Sequence, residues 1–342
     1  MSIKRPRVEA SQLAAQNPRS PVPVTPARST SRMRRERPRR LFQRFGALVA
    51  LISLVAITDA ISPNFLSASS IRLQLQEFCL TTALIGVGQT LVILTGGIDL
   101  SVGALLAVGS CLGGQLILQN WPIPLAFLVP IALTTGLGGI NGVIVAKARI
   151  QPIVVTLAMM IAARGLAQLV ASDATLDLSS YDTFFNLATT QVGSVPLLGT
   201  IPISVLITLA IYILAWLFLT RTVIGRYVFA VGGNERAARL SGVATEWVKI
   251  LVYAISGLLA GLAGVLFASY NQSADPLNNG NLYELATIAA VVVGGTSLLG
   301  GVGGVWRTLV GGLILVVLGA FFVQAGWDKP AQLIAQGLII AG

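Results

Sequence analysis

The sequence has no histidine and only two cysteines among its 342 residues. Histidine is the most common metal ligand and general base in proteins, so its absence removes the usual zinc sites and histidine-dependent nucleophiles. Cys79 and Cys111 fall in separate apolar segments, and a G-x-x-x-x-G-K-[ST] phosphate loop is missing. The sequence therefore predicts no disulfide scaffold, no catalytic residue, no metal site and no cofactor on this chain. It predicts a protein that is not an enzyme, so that any ATP hydrolysis would occur on another chain.

Charged residues are scarce, at 11% of the chain against 54% hydrophobic residues, and the mean hydropathy is +0.80. An average soluble domain is about a quarter charged. The formal net charge of +10 lies entirely in residues 1–44, which hold twelve Lys or Arg and two Glu, whereas the remaining residues hold eleven of each sign. A neutral body behind a basic tail does not indicate nucleic-acid binding. The composition predicts an integral membrane protein in contact with the lipid bilayer.

Two regions follow from this distribution: a tail over residues 1–44 and a membrane domain over residues 45–342. The tail is rich in Pro, Ser and Arg and has few large apolar residues, so it cannot bury enough surface to offset the entropy of ordering. We expect it to be disordered and cytoplasmic. Its arginines cluster just before the first apolar stretch, where they would hold the N-terminus inside and attract anionic lipid.

Apolar runs long enough to cross a bilayer divide the membrane domain into about ten helices. The predicted fold class is an all-α polytopic bundle. The proposed spans are Phe45–Ser62, Phe78–Thr95, Leu100–Leu118, Ile123–Ala146, Pro152–Ala171, Ile201–Thr220, Val248–Tyr270, Glu284–Leu298, Val305–Val323 and a last one from Ala331.

The charges of the connecting loops agree with this count, because Lys and Arg concentrate in short cytoplasmic loops. The basic residues after the fourth and sixth spans fall on the inside, and the loop Ser172–Thr200 on the outside holds three Asp and no basic residue. Arg72 and Lys329 are exceptions. The pattern places the N-terminus in the cytoplasm.

Glycines recur at a spacing of four, as in Gly109/Gly113, Gly138/Gly142 and Gly257/Gly261. This spacing lets helix backbones approach closely where lipid supplies no hydrophobic drive between them. Two further pairs, Gly96-Gly97 and Gly294-Gly295, are compatible with either an internal duplication or coincidence.

The basic loop after the sixth span contains a short helix pattern. Asn234 can cap its start and Gly242 can end it, which is more structure than a passive connector needs. On charge placement alone, an ordinary basic inside loop would look the same.

Several ordered motifs together resemble the ribose-type, monosaccharide permease subunit of ABC importers, in the binding-protein-dependent family shared with branched-chain amino acid permeases. The motifs are Gly96-Gly97-Ile98-Asp99-Leu100-Ser101-Val102-Gly103, Asn141-Gly142, Gln151-Pro152 with Thr156-Leu157, Gly232-Gly233-Asn234-Glu235-Arg236-Ala237-Ala238-Arg239-Leu240-Ser241-Gly242-Val243, and Tyr283-Glu284-Leu285 leading into residues 288–297. The resemblance implies an ATPase subunit, an extracytoplasmic solute-binding protein and a second permease subunit, in a homodimer or heterodimer, as partners. It also implies an ATPase-coupling loop formed by Gly233, Asn234, Glu235, Arg236, Ala238, Arg239, Leu240, Ser241 and Gly242.

Polar residues at bundle depth are candidates for the translocation path, because a polar group inside a membrane is costly and often functional. The candidates are Gln89, Asp99, Asn141, Arg164 and Glu284. Alternatives remain at each level: Asp99 can instead cap the third helix, Arg164 can extend to the outer interface, and amides can simply hold helices together.

The sequence thus favours the permease subunit of an ATP-driven importer for a small sugar, in a bacterial inner membrane. An ion-coupled secondary transporter is the alternative, since it would work without an ATPase and would use intramembrane acids such as Asp99. A membrane scaffold without transport activity would need no polar residues at bundle depth.

Overall fold

The computed structural model describes residues 30–62, 65–195 and 199–341. Helices make up most of these ranges, which confirms the all-α membrane fold predicted from the sequence. Their bounds are α1 Thr30–Ile61, α2 Ala68–Phe78, α3 Leu84–Leu94, α4 Val102–Leu118, α5 Ile123–Val143, α6 Pro152–Val170, α7 Asp182–Thr189, α8 Ile203–Arg221, α9 Val223–Leu240, α10 Thr245–Asn271, α11 Tyr283–Val293, α12 Val305–Gln324 and α13 Lys329–Ala341.

Short irregular and extended pieces complete the fold. A π-helical turn, Cys79–Ala83, joins α2 to α3, and a second, Ile144–Ala148, extends α5. Two small antiparallel sheets pair β1 (Leu176–Asp177) with β4 (Ser273–Ala274), and β2 (Gln191–Val195) with β3 (Gly199–Pro202).

The first helix begins within the predicted tail. Residues 1–29 of that tail lie outside the described residues, whereas α1 is helical from Thr30 onward. The predicted disorder of the tail stays a prediction.

The predicted spans each correspond to a helix or helical segment. Six segments of the described chain are long and apolar enough to cross a membrane by length and composition, and three shorter apolar ones are Gly46–Ile61, Val102–Leu118 and Tyr283–Val293. The second span was placed too late, because α2, the π-turn and α3 form one helical segment from Ala68 to Leu94. The first third of this segment is polar, so hydropathy alone does not detect where the helix begins.

Helix α10 lies at the centre of the bundle and approaches α4 and α5 at glycines. A Cβ atom added to Gly138 of α5 would lie 3.0 Å from the Cα of Gly257, and one on Gly109 of α4 would lie 3.0 Å from the Cα of Gly261. The Gly138 Cβ would also collide with Tyr253 O, and the Gly109 Cβ would lie 2.8 Å from Gly261 O, so neither position has room for a side chain. The prediction that these glycines serve close helix packing is confirmed.

The ends of α3 and α11 share one turn geometry. Gly96 N–H donates to Ile93 O and Gly97 N–H to Val92 O. Gly295 N–H and Thr296 N–H make the equivalent bonds to Val292 O and Val291 O. Gly96 and Gly295 both adopt a positive φ, of 80° and 88°, which favours glycine at this position of a helix-ending turn. Gly96 therefore corresponds to Gly295, and Gly97 corresponds to Thr296, so the two glycine pairs are offset by one residue. The shared turn is a common helix end and does not decide between duplication and coincidence.

The bundle has two distinct ends. The basic end holds the connections around Lys147, around 221–249 and at 294–304. There Gly301 N–H donates to Leu94 O (3.0 Å), and a Cβ on Gly232 would run into both groups. The acidic end holds residues 171–195, 199–202 and 272–282, and the β1–β4 pair joins the first of these to the last.

Replacing Gly138 with Leu should destabilise the bundle, because the new side chain would collide with the backbone of α10 at Tyr253 and Gly257. Overpacking of this kind costs about 1–3 kcal/mol. Gly136→Leu is the matched control, since a Cβ there meets nothing within 4 Å and the gain in helix propensity is the same. Thermal unfolding of the purified protein in detergent measures the difference, and equal melting temperatures would contradict the packing assignment.

Candidate functional site

Asp99 lies in the loop that separates α3 from α4, and its side chain is fully buried. Its Oδ1 accepts hydrogen bonds from the backbone N–H of Ser101 (2.9 Å) and from Ser101 Oγ (2.6 Å). Its Oδ2 accepts a hydrogen bond from Ser256 Oγ of α10 (2.9 Å). The carboxylate thus joins the start of α4 to the central helix.

This geometry differs from a simple helix cap. Ser101 is the residue that immediately precedes α4, so Asp99 binds the N–H of the capping position and not a free N–H within the first turn. The described chain shows no Lys or Arg paired with Asp99. The carboxylate is held by hydroxyl and amide donors alone.

Asn141 of α5 extends the network. Its Nδ2 donates to Ser101 Oγ (3.0 Å), while its buried Oδ1 has no partner in the described ranges. We call Asp99, Ser101, Asn141 and Ser256 the Asp99 cluster. Each member is fully buried. Hydrogen bonds between membrane helices contribute about 0.6–2 kcal/mol each, so the cluster stabilises the junction of α4, α5 and α10.

The backbone of the same loop is held from two further helices. Ile98 O accepts a hydrogen bond from Thr156 Oγ1 of α6 (3.3 Å) and a long one from the Tyr253 hydroxyl of α10 (3.5 Å). The loop that carries Asp99 is therefore fixed on several sides.

Gln89 is also fully buried, in the middle of α3. Neither Oε1 nor Nε2 of this side chain has a hydrogen-bond partner in the part of the chain that the structure describes. Buried amides are nearly always hydrogen-bonded in proteins. Its donor and acceptor atoms are therefore buried and unpaired within the described residues.

Arg164 lies in α6 and Glu284 in α11. The Arg164 Nη1 atom donates to Pro276 O (2.9 Å) and Asn279 O (2.8 Å), so the guanidinium binds the loop after α10. The role of Arg164 in the path stays a prediction. Glu284 lies in the first turn of α11, and a Cβ on Gly103 of α4 would meet its Oε2 atom.

The structure therefore brings two of the five predicted path residues, Asp99 and Asn141, into one network. The assignment of all five to the path stays a prediction. Sequence analysis missed Ser256, because a lone Ser in an apolar helix usually satisfies its hydroxyl on its own helix and gives little signal.

The predicted coupling loop is a capped helical turn. Helix α9 has a kink at Asn234 (φ −162°, ψ 98°), whose Oδ1 accepts a hydrogen bond from Ala237 N–H (2.9 Å). At the other end Gly242 adopts a positive φ of 83°, and Val243 N–H bonds Ala238 O (3.0 Å). Both caps read from the sequence are confirmed. We call residues 234–242 the coupling segment.

Ion pairs connect the coupling segment to the start of α10. Glu235 Oε2 lies 2.7 Å from Lys249 Nζ and Glu235 Oε1 lies 3.3 Å from Arg239 Nη2. Partial burial raises the pKa of the Glu235 carboxyl, but the hydrogen bonds and charges of Lys249 and Arg239 outweigh this, and the pKa lies below its ordinary value of 4.5. Because the folded-state pKa is depressed, the pair is present at neutral pH and is lost only as the pH falls through that lowered value.

Comparison of the sequence with known proteins identifies a family and several relatives. A family described as the permease component of branched-chain amino acid transport systems matches residues 73–341. The ribose import permease protein of Haemophilus influenzae is 40% identical over 294 residues, covering 86% of this chain and 90% of that protein. Those of Escherichia coli strain K12 (39%; 86% and 90% covered) and Bacillus subtilis (38%; 88% and 91% covered) are similar.

No solved structure matches the chain. The resemblance read from the sequence motifs is nonetheless confirmed by the family match and by these relatives. The chain belongs to the family of membrane permease components of binding-protein-dependent transport systems.

Proposed function

We propose that this multi-pass membrane protein forms the path by which a monosaccharide of the ribose type enters a bacterial cell, as the permease subunit of an ATP-driven importer. The observation that supports the substrate class is the set of relatives. Besides the ribose permeases, it includes a D-allose permease and a galactofuranose permease of Escherichia coli and a fructose permease of Bifidobacterium longum.

The buried polar groups suit a neutral polyhydroxy solute. Sugars are recognised by donor and acceptor pairs, and an amide side chain offers both. Gln89 and the Oδ1 atom of Asn141 supply unpaired amide groups in the described bundle. The Asp99 carboxylate, already bound by hydroxyl donors, provides an anchor for Asn141 through Ser101.

The orientation follows from charge. Lysines and arginines of short loops concentrate on the cytoplasmic side. The basic end would then face the cytoplasm and the acidic end the outside of an inner membrane, with the N-terminus cytoplasmic. The ATPase subunit would bind at the basic end, a solute-binding protein at the acidic end, and a second permease subunit would complete the path. ATP and any cofactor would be bound by the partner ATPase.

Exposed apolar side chains at the basic end support a protein partner there. Leu240 is 85% exposed and Trp247 is 71% exposed, although Arg239, Glu246 and Lys249 surround them in sequence. Such a charged segment does not lie in hydrocarbon. An exposed apolar patch rimmed by charge is typical of a protein contact, and the coupling segment would place it against the ATPase.

The proposed function predicts ATP-dependent sugar uptake. Vesicles that contain this chain with its ATPase and binding protein should accumulate one labelled monosaccharide from a panel of ribose, allose, fructose and galactose only when ATP is enclosed. Omitting the binding protein or ATP serves as the control. Accumulation driven by a sodium or proton gradient without ATP would support a secondary transporter instead.

The proposed function also predicts that transport depends on the Asp99 side chain. Asp99→Asn keeps the side-chain shape but replaces one hydrogen-bond acceptor with a donor, so the bond from Ser256 is lost or reversed and the Asp99 cluster rearranges. We expect sugar uptake to fall about tenfold, as for loss of a buried hydrogen bond. Asp59→Asn, in α1, is the control and should transport normally. Full uptake by Asp99→Asn at equal protein levels would mean that Asp99 only shapes the start of α4.

A further inference from the structure

Three residues of α10 form a stripe on one face of that helix. Lys249, Tyr253 and Ser256 are spaced at i, i+4 and i+7, which places them on one side of an α-helix over two turns. Lys249 binds Glu235 of the coupling segment. Tyr253 donates a hydrogen bond to Ile98 O, and Ser256 donates one to Asp99. One face of one helix thus contacts both the coupling segment and the buried loop.

The part of α10 between these contacts is short and has no break. Seven residues of α-helix span about 10 Å. Helix α10 is unbroken from Thr245 to Asn271, with glycines that pack closely on α4 and α5 and no proline inside. A displacement at Lys249 would therefore be passed to Ser256 without an intervening hinge.

The kink in α9 lies at Asn234, where the coupling segment begins. Before Asn234, Gly232 sits against Leu94 O and Gly301 N, with no room for a Cβ. After Asn234, the ion pairs hold the segment to α10. The non-helical backbone of Asn234 separates these two anchored parts. Movement of the coupling segment would bend the chain at Asn234 and pull on α10.

Lys249 is the most buried member of the ion pairs, since its side chain is 18% exposed against 38% for Glu235. Arg239 adds weaker contacts to the same turn, a hydrogen bond to Thr245 Oγ1 (3.1 Å) and an ion pair with Glu246 (3.8 Å). Exposed ion pairs contribute little to stability. What matters is therefore where these pairs lie, between the coupling segment and α10, and not how many there are.

From these contacts we propose that Lys249 is a positioning residue that locks the coupling segment to α10, so that movement imposed by the ATPase reaches the Asp99 cluster through the α10 stripe. The proposal rests on the function proposed above. In this proposal Glu235 and Arg239 make contacts within the chain. The exposed side chains of Leu240 and Trp247 form the surface that would bind the ATPase.

A charge-swap series in the complete transporter tests this. The variants are Glu235→Lys, Lys249→Glu and the double swap of both, reconstituted with the ATPase and binding protein. The readouts are sugar transported per ATP hydrolysed and the stimulation of ATPase activity by sugar-loaded binding protein. Each single change should lower the sugar-to-ATP ratio at least fivefold, because like charges face each other, and the double swap should recover at least half of it.

Arg226→Glu is the matched control, because it makes the same charge reversal on an exposed residue of α9 at the basic end. It should leave the ratio within twofold of wild type. Lys249→Arg keeps the positive charge and should retain coupling even if Lys249→Glu fails to assemble, whereas Lys249→Gln should lose it. Copurification of the ATPase shows which variants assemble.

The outcomes separate the two proposals. If the wild-type complex shows no ATP-dependent sugar uptake, the proposed function fails. If the wild type transports and the single variants couple normally, or if coupling lost in the single variants is not recovered in the double swap, the role of the Glu235–Lys249 pair is overturned.

Discussion

The close approach of α10 to α4 and α5 is the constraint on which the described bundle depends. Lipid tails are as apolar as leucine, so packing and hydrogen bonding must hold membrane helices together. Glycines at the crossing points allow backbone contact, with Gly138 against Gly257 and Gly109 against Gly261. This proximity brings the Ser256 hydroxyl within 2.9 Å of the Asp99 carboxylate. With larger residues at those crossings, the carboxylate would lose its partner on α10.

The sequence alone predicted much of this fold, because its strongest signals are long apolar runs, charged loops and glycine spacing. The ten spans, the capped turn at Asn234 and Gly242, and the glycine contacts all rest on such local signals. The start of the second helical segment at Ala68 was not predicted, since Arg72 and Glu77 lower the hydropathy of its first turns.

The candidate site was less accessible from the sequence. A polar residue can be identified at bundle depth, but its partner depends on helix rotation and crossing geometry. Asp99 looked like a cap for the next helix, and only the fold shows that its second oxygen binds Ser256. Arg164 and Glu284 were grouped with Asp99 by polarity, yet Arg164 binds the carbonyl groups of the loop after α10. Contacts between helices, and not residue types, show which of these polar groups are hydrogen-bonded to one another.

The junction at the basic end is built largely from backbone. Gly96, Gly300 and Gly301 adopt positive φ, and a Cβ on Gly300 would lie 2.9 Å from Gly96 N and 3.0 Å from the Cα of Gly232. A contact made by peptide groups has no rotamers to order, so forming it costs little side-chain entropy. It also leaves little room for gradual adjustment by substitution. Adaptation to a different partner would therefore have to occur on the surrounding side chains, while this backbone contact stays the same.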